Sequence, residues 1–427
     1  MCGSDGSHVR VRATVSGERV GHDVEPLSSQ LSRAQLGLVY LSGSFGFGFQ
    51  QMSAFLVPLR ARELAAPLDQ IGLIVGAGAI VPALLSVWSG ELSDRLGARR
   101  TYIGGTIVAA LAALLMVPVV DYWLMLPIQL VMGFARSTAW VASQTYVANM
   151  GRPDERATHM GRLSFATNAG TVVAPLAIGQ VANLVGYQWS FSVMGAVTLA
   201  YTVIGVILPE VRAARTSRTR GGAGGFGRAL QLCRQRGMQV VLLLTFVRLW
   251  NGSGWRPFMP IYLRELGFDN TLISSVLAAN SVVGTFTSLG ASWAARKTSN
   301  EVATAIALGL GAIGTAASPA LAFVPAVYVP ALLIGTGVGI SLPLLMASVS
   351  SEVPSDQRGL ALGMRMSMNQ AAGALAPLSV GAVAEPYGIP LALLSSAVFS
   401  LSLLGASMAL YASHHRRQAA VHVDRDT

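Results

Sequence analysis

Arg136 and Arg248 each stand near the middle of a long apolar stretch, and the sequence places no aspartate or glutamate at their depth. Arg136 lies fourteen residues past Tyr122 and thirteen before Asn149. A guanidinium is a planar fork of N–H donors that grips a carboxylate or phosphate through two hydrogen bonds, and such charge-assisted bonds strengthen where water is scarce. Even on a generous insertion scale, an unpaired charge at the centre of a bilayer costs at least about 2.5–3.5 kcal/mol, so it normally faces a wet cavity and works there. The chemistry expected of the two arginines is recognition of an anionic group; the structural alternative is pairing with backbone carbonyls at helix breaks. Gln50, Gln51, Asn168, Asn251 and Gln370 lie at similar depth, with Trp250 to stack on a solute. These complete the set of candidate substrate-binding residues, although amides between membrane helices serve equally well as interhelical hydrogen bonds.

Other chemistries find fewer parts. His8, His22, His159, His414, His415 and His422 all fall in segments expected to be tails or loops, which leaves no histidine in the membrane for a metal site or a nucleophile and its base. This argues against an intramembrane hydrolase or acyltransferase, and no catalytic residue, metal site or cofactor is assigned. Gly309-Leu-Gly311-Ala-Ile-Gly314 matches the dinucleotide fingerprint in letters, but it lies inside an apolar span with no strand before it. No phosphate-binding loop is present, so an ion or solute gradient is expected to drive any transport. The formal charge of +10 resides in arginines between apolar runs, a pattern that reports membrane orientation and excludes a nucleic-acid partner.

The elements that must position these residues are membrane spans. Of the 427 residues, 52% are apolar and only 12% charged, far fewer charges than a soluble globular chain carries. A helix crosses the hydrocarbon layer in about 20 residues. Runs of that order recur at 35–60, 70–92, 101–120, 122–149, 157–183, 187–209, 238–262, 270–294, 301–320, 325–350, 359–385 and 388–412. The fold class expected is an all-α polytopic membrane protein of twelve helices in two pseudo-symmetric bundles of six. Arginine gathers in the loops after even-numbered spans, which places both termini in the cytoplasm and the chain in the cell (inner) membrane. The domain reading is a disordered cytoplasmic tail at 1–34, a first bundle at 35–210, a flexible Arg- and Gly-rich linker at 211–237, a second bundle at 238–412 and a tail at 413–427.

The two bundles look like copies of one another. A shift of 202 residues superimposes Pro58 on Pro260, Arg62-Glu63-Leu64 on Arg264-Glu265-Leu266 and Gly133 on Gly335. It also superimposes Asp154 on Asp356, Arg156 on Arg358, Gly161 on Gly363, Pro175 on Pro377, Gly179 on Gly381 and Gly186 on Gly388. Apolar segments match by chance, but charged and proline positions in loops do not. Two such halves form a known transporter architecture, with the solute site between them near the midplane.

After the second span the chain reads Gly90-Glu-Leu-Ser-Asp94-Arg95-Leu-Gly97-Ala-Arg99-Arg100. This resembles the cytoplasmic signature of the major facilitator superfamily, and the resemblance runs from the first span to the last. Gly90 lets two backbones approach, Gly97 allows a tight turn, and Asp94 offers a carboxylate to a helix N-terminus. The resemblance implies that this helix is the eleventh, beginning near Gly359, and that helices one, four, seven and ten line the central cavity. The second half departs from the motif, with Ser292, Arg296 and Lys297 where Gly90, Asp94 and Arg95 stand in the first. Gly161, Gly170, Pro175 and Gly179 of the fifth span are similar to the glycine-proline signature of proton-coupled exporters, with departures at Ala174 and Ile178. Close packing of small residues explains the same four positions equally well. The function implied is alternating-access transport of a small, anionic organic solute by a monomer in the lipid bilayer, with a coupling ion or counter-solute and efflux the favoured direction. A proton-coupled exporter of drug-like compounds and a non-transporting receptor on the same fold are the alternatives. On this topology, a reporter fused after Arg220 is active only if it folds in the cytoplasm and one inserted near Asp69 only outside; the reverse pattern would overturn the span count.

Overall fold

The computed structural model describes residues 31–150, 155–210, 231–353 and 357–426. Twelve long helices run through them: α1 Arg33–Glu63, α2 Leu68–Leu96, α3 Ala98–Leu115, α4 Met125–Met150, α5 (156–185), α6 (187–207), α7 Arg236–Glu265, α8 Asn270–Leu289, α9 Asn300–Ala317, α10 Tyr328–Glu352, α11 Arg358–Tyr387 and α12 Ile389–Asp426. Helices α5 and α6 form one 52-residue element, Arg156–Ile207, broken at Gly186. A short helix, Ala291–Lys297, continues α8. Polar residues fix several starts. Ser32 and Gln35 form a reciprocal capping box on α1, and Asp269 accepts the Leu272 N–H at the start of α8.

Seven helices among the described residues are both long and apolar enough to cross a membrane by composition alone, and one of the seven is the joined α5 and α6. Helices α1, α3, α7 and α11 fall outside that set, and each carries arginines or glutamines. A helix polar at one stripe and apolar elsewhere is what a wet interior requires. Helix α12 runs on to Asp426, through residues expected to form a tail. Residues 1–30 and 211–230, where the N-terminal tail and most of the linker were expected, lie outside the described residues.

The internal duplication extends to backbone geometry. Gly186 and Gly388, 202 positions apart, both break their helices at positive φ, 75° and 83°. Ala65 and Gly267 form a second such pair, at φ 60° and 89°. In the first half a side chain stands where the second has glycine, so that loop carries the strain of a left-handed non-glycine residue. Packing repeats as well. A Cβ on Gly133 would lie 2.1 Å from the Gly78 carbonyl oxygen of α2, and one on Gly335 would lie 2.3 Å from the Asn280 carbonyl oxygen of α8, the same crossing 202 residues later. At another crossing the small residue changes helix: Gly105 of α3 abuts the Ala135 carbonyl of α4, while Gly337 of α10 abuts that of Ala307 in α9.

Among the described residues, the hydrogen bonds that cross between the halves gather toward the end remote from Arg33 and Asp426. Arg62 of α1 donates to Glu265 of α7 through Nε at 3.0 Å and Nη2 at 2.7 Å. Glu385 of α11 accepts the Leu68 N–H at the start of α2 at 2.6 Å. Asn183 meets Thr271, Tyr187 meets Asn270, and Gln51 donates to Ser281 at 3.2 Å. Helices α2 and α11 cross so closely that a Cβ on Gly72 would sit 2.3 Å from the Pro377 carbonyl oxygen and one on Gly381 2.5 Å from that of Leu68. Nothing flexible lies in the way to yield. Gly72→Leu should therefore separate the halves at this end: cysteines placed at Arg62 and Glu265 should cross-link readily in the parent and poorly in the variant, and an equal yield in both would contradict this account.

Candidate functional site

A cavity of about 130 Å³ lies between the halves, walled by α1, α2, α4, α7 and α11. Each helix presents one stripe to it. On α7 the wall residues are Leu249, Ser253, Arg256 and Pro257, and on α4 they are Gln129, Met132, Gly133 and Arg136, both spaced as one face of a helix. Helix α1 adds Gln50, Gln51 and Ser53, and α11 adds Asn369 and Gln370. The resemblance implied that α10 would line the cavity; α2 and α11 take its place, because they cross directly beneath it.

Of the residues singled out in the sequence, Arg136, Gln50, Gln51 and Gln370 come together on this cavity. Arg248, Asn168, Trp250 and Asn251 do not line it. Trp250 is buried against α12, where its Nε1 donates to Ser396 at 2.9 Å and its ring packs on Phe246 and Phe399. Asn251 donates to the Leu308 carbonyl of α9 at 3.2 Å and accepts from Ser400 at 2.6 Å, the interhelical bonding an amide makes in a membrane. Asn168 is exposed on α5. The side chain of Arg248 lies just off the cavity stripe, and its Nε is buried with no hydrogen-bond partner. Three wall residues escaped the sequence reading. Arg256 and Asn369 are polar at depth, and Gln129 is nine-tenths buried with Oε1 unpartnered. Gln129 stands at i, i+7 from Arg136, a spacing visible in the sequence; Arg256 and Asn369 share no such spacing with the candidate residues.

Among the described residues, Arg136 has no hydrogen bond or ion pair, and Arg256 reaches only the Asn280 side chain, at 3.4 Å. No carboxylate among the described residues offsets either charge. The cavity therefore presents two guanidinium groups, one from each half, together with amides that both donate and accept.

Three residues of the signature after α2, Gly97, Arg99 and Arg100, act within the first half. Gly97 turns the chain at φ 87° between α2 and α3. Arg99 donates to the Gly205 and Val206 carbonyls at the end of α6, at 3.1 and 2.5 Å, and Arg100 lies 3.6 Å from Glu210. A cation on the last carbonyls of a helix satisfies groups left without partners there. Arg95 is exposed and engaged. The surroundings of Gly90 and the side chain of Asp94 lie outside the described residues, as do the side chains at the start of α11. In α5, Gly170 abuts the Ser44 carbonyl of α1 and Gly179 abuts Ser274 of α8 across the halves; Pro175 is buried and Gly161 faces open space. His159, expected in a loop, sits instead in the first turns of α5, buried, with Nδ1 2.6 Å from the Tyr40 hydroxyl.

Two helical bundles joined by a duplication, pinned at one end and enclosing a polar cavity at mid-depth, are the frame of a membrane carrier. Residues 38–377 match the Major Facilitator Superfamily, and the chain belongs to that family of transporters. It is 23% identical to the tetracycline resistance protein, class B, of Escherichia coli over 79% of this chain and 84% of the other. With the gentisate transporter of Corynebacterium glutamicum it shares 24% identity over 75% and 74% of the two chains. In structure it is similar to a mutant of the nucleoside transporter NupG, with a TM-score of 0.76 and 15% identity over 88% of this chain and all of that one.

The placement of Trp250 yields a test. Trp250→Phe should remove the bond to Ser396, worth about 1 kcal/mol, and lower the thermal midpoint. Solute affinity should stay within about twofold of the parent. A large loss of affinity at unchanged stability would return Trp250 to the solute site.

Proposed function

We propose that this protein is a secondary active transporter of a small organic anion, which it binds in the cavity between its halves and releases on the other side when the halves rock. The observation that carries the reading is the pair Arg136 and Arg256, one from each half, facing one cavity with no carboxylate partner among the described residues. An anion held by both would tie the halves together at the site, and Gln50, Gln51 and Gln370 supply hydrogen bonds that orient its remaining polar atoms. Similarity to a transporter of gentisate, a carboxylate, supports the same class. Both termini lie in the cytoplasm by the distribution of arginine, a gradient of an ion or counter-solute drives the cycle, and the monomer is the working unit. The favoured direction is export, supported by the glycine-proline pattern of α5.

The second reading, export of drug-like neutral or cationic compounds, draws support from the similarity to a tetracycline resistance protein. Flux in liposomes separates the two. Arg136→Gln or Arg256→Gln should weaken binding of a transported carboxylate at least tenfold, about 1.4 kcal/mol, and should leave its neutral amide analogue nearly unaffected. Lysine should substitute poorly at either position, since it lacks the fork. Transport of cations, or wild-type affinity in both glutamine variants, would replace this reading with the drug exporter.

A further inference from the structure

Behind Arg256, the second half holds two more arginines that the single-anion account does not use. Arg365 of α11 is only 5% exposed. Its Nε and Nη1 have no hydrogen-bond partner, and its Nη2 meets nothing more polar than the Met366 sulfur, at 3.9 Å. Arg248 lies within electrostatic reach of both Arg365 and Arg256, and its own Nε is unpartnered. The Arg256 side chain runs past Gly252, whose added Cβ would lie 3.8 Å from Nη1, and so leans along α7 toward Arg248. Close by in sequence, Asn369 lines the cavity while its Oδ1 is buried and unpaired. Arg248 thus has a like charge within electrostatic reach on either side, Arg256 on its own helix and Arg365 on α11, and no ion pair joins any of the three to a carboxylate among the described residues.

Like charges brought together away from water repel, and unpaired N–H groups at the same place lose hydrogen bonds. Packing alone does not favour such an arrangement, and an apolar side chain of similar size would fill the space. The arrangement makes physical sense if an anion completes it. A single carboxylate held between Arg136 and Arg256 would leave Arg248 and Arg365 unneutralised, whereas a second anionic group entering past Arg256 would meet all three.

Resting on the anion-transport reading above, we propose that Arg248, Arg256 and Arg365 form a second anion subsite in the C-terminal half, and that the solute carries two anionic groups. One group lies against Arg136 in the cavity and the other against this cluster. The solute class is a dicarboxylate or an organic phosphate in its dianionic form.

The test uses the purified full-length protein and thermal stabilisation by matched probes at equal ionic strength: succinate against succinamate, phthalate against phthalamate, and inorganic phosphate against nitrate. At least one dianion should stabilise the parent protein at a concentration at least about tenfold below that needed by its monoanionic partner. Arg365→Gln should remove that preference while leaving the response to the monoanion within about twofold, and Arg365→Lys should restore part of it. If Arg365→Gln does not fold, Arg248→Gln provides the same comparison. Stabilisation by monoanions alone, abolished by Arg136→Gln, would overturn the second subsite and leave the anion reading standing. No preference for any dianion, including no response to any probe, overturns the proposal, as does a dianion preference that survives both glutamine variants. Absence of stabilisation by every anion, monoanionic or dianionic, would sink the anion reading on which it rests as well.

Discussion

The crossing of α2 and α11 is the contact on which the arrangement of the two halves depends. In a bilayer, apolar side chains gain little by leaving lipid for one another, so helices hold together through close backbone approach and hydrogen bonds. Gly72, Gly76 and Gly381 bring the two backbones within reach of each other's carbonyls. The first N–H groups of α2 lack an intrahelical partner, and Glu385, from the other half, accepts one of them. Satisfying a helix end has thereby become a contact between the halves. The same two helices supply cavity walls just beyond the crossing, so the contact that closes one end also sets the width of the site. The resemblance places Asp94 at the other end of this helix pair, in the mirror-image relation to a helix N-terminus.

Duplication built the scaffold, and departures from it built the site. Helix crossings, positive-φ turns and the Arg-Glu-Leu run recur 202 residues apart. The arginines in and behind the cavity do not. Arg136 corresponds to Val338, Arg256 to Ala54, Arg248 to Gly46 and Arg365 to Leu163. One arginine thus stands in the first half against three in the second, and an asymmetric solute has a defined orientation between them.

The fold was legible because bilayer thickness sets helix length and the arginine bias sets topology, both properties of linear sequence. Depth was legible for the same reason, and Arg136 was found by depth. Azimuth was harder to read. Residues 248, 250 and 251 share the depth of the cavity, but each residue turns the helix by about 100°, so the stripe through Leu249, Ser253 and Arg256 leaves Trp250 and Asn251 facing α12 and α9. Arg256 was missed for the opposite reason. It lies toward the end of its span, and depth along the chain does not reveal that its side chain leans back beside Gly252. His159 lies inside the span expected at 157–183, and the helix begins at Arg156; what the sequence could not show is its burial beside Tyr40, 119 positions earlier.

Two unneutralised guanidinium groups on one cavity also give the protein an electrical character. A carrier whose binding site changes sides moves the site's own charge through part of the transmembrane field. Each full elementary charge moved through 100 mV is worth about 2.3 kcal/mol. If the solute is the dianion proposed above, the empty carrier is strongly cationic at its centre and the bound solute cancels two of those charges. An inside-negative potential then acts more strongly on the empty form than on the loaded one, drawing its site toward the cytoplasmic face. In such a cycle the membrane voltage acts most on the step in which the empty carrier resets.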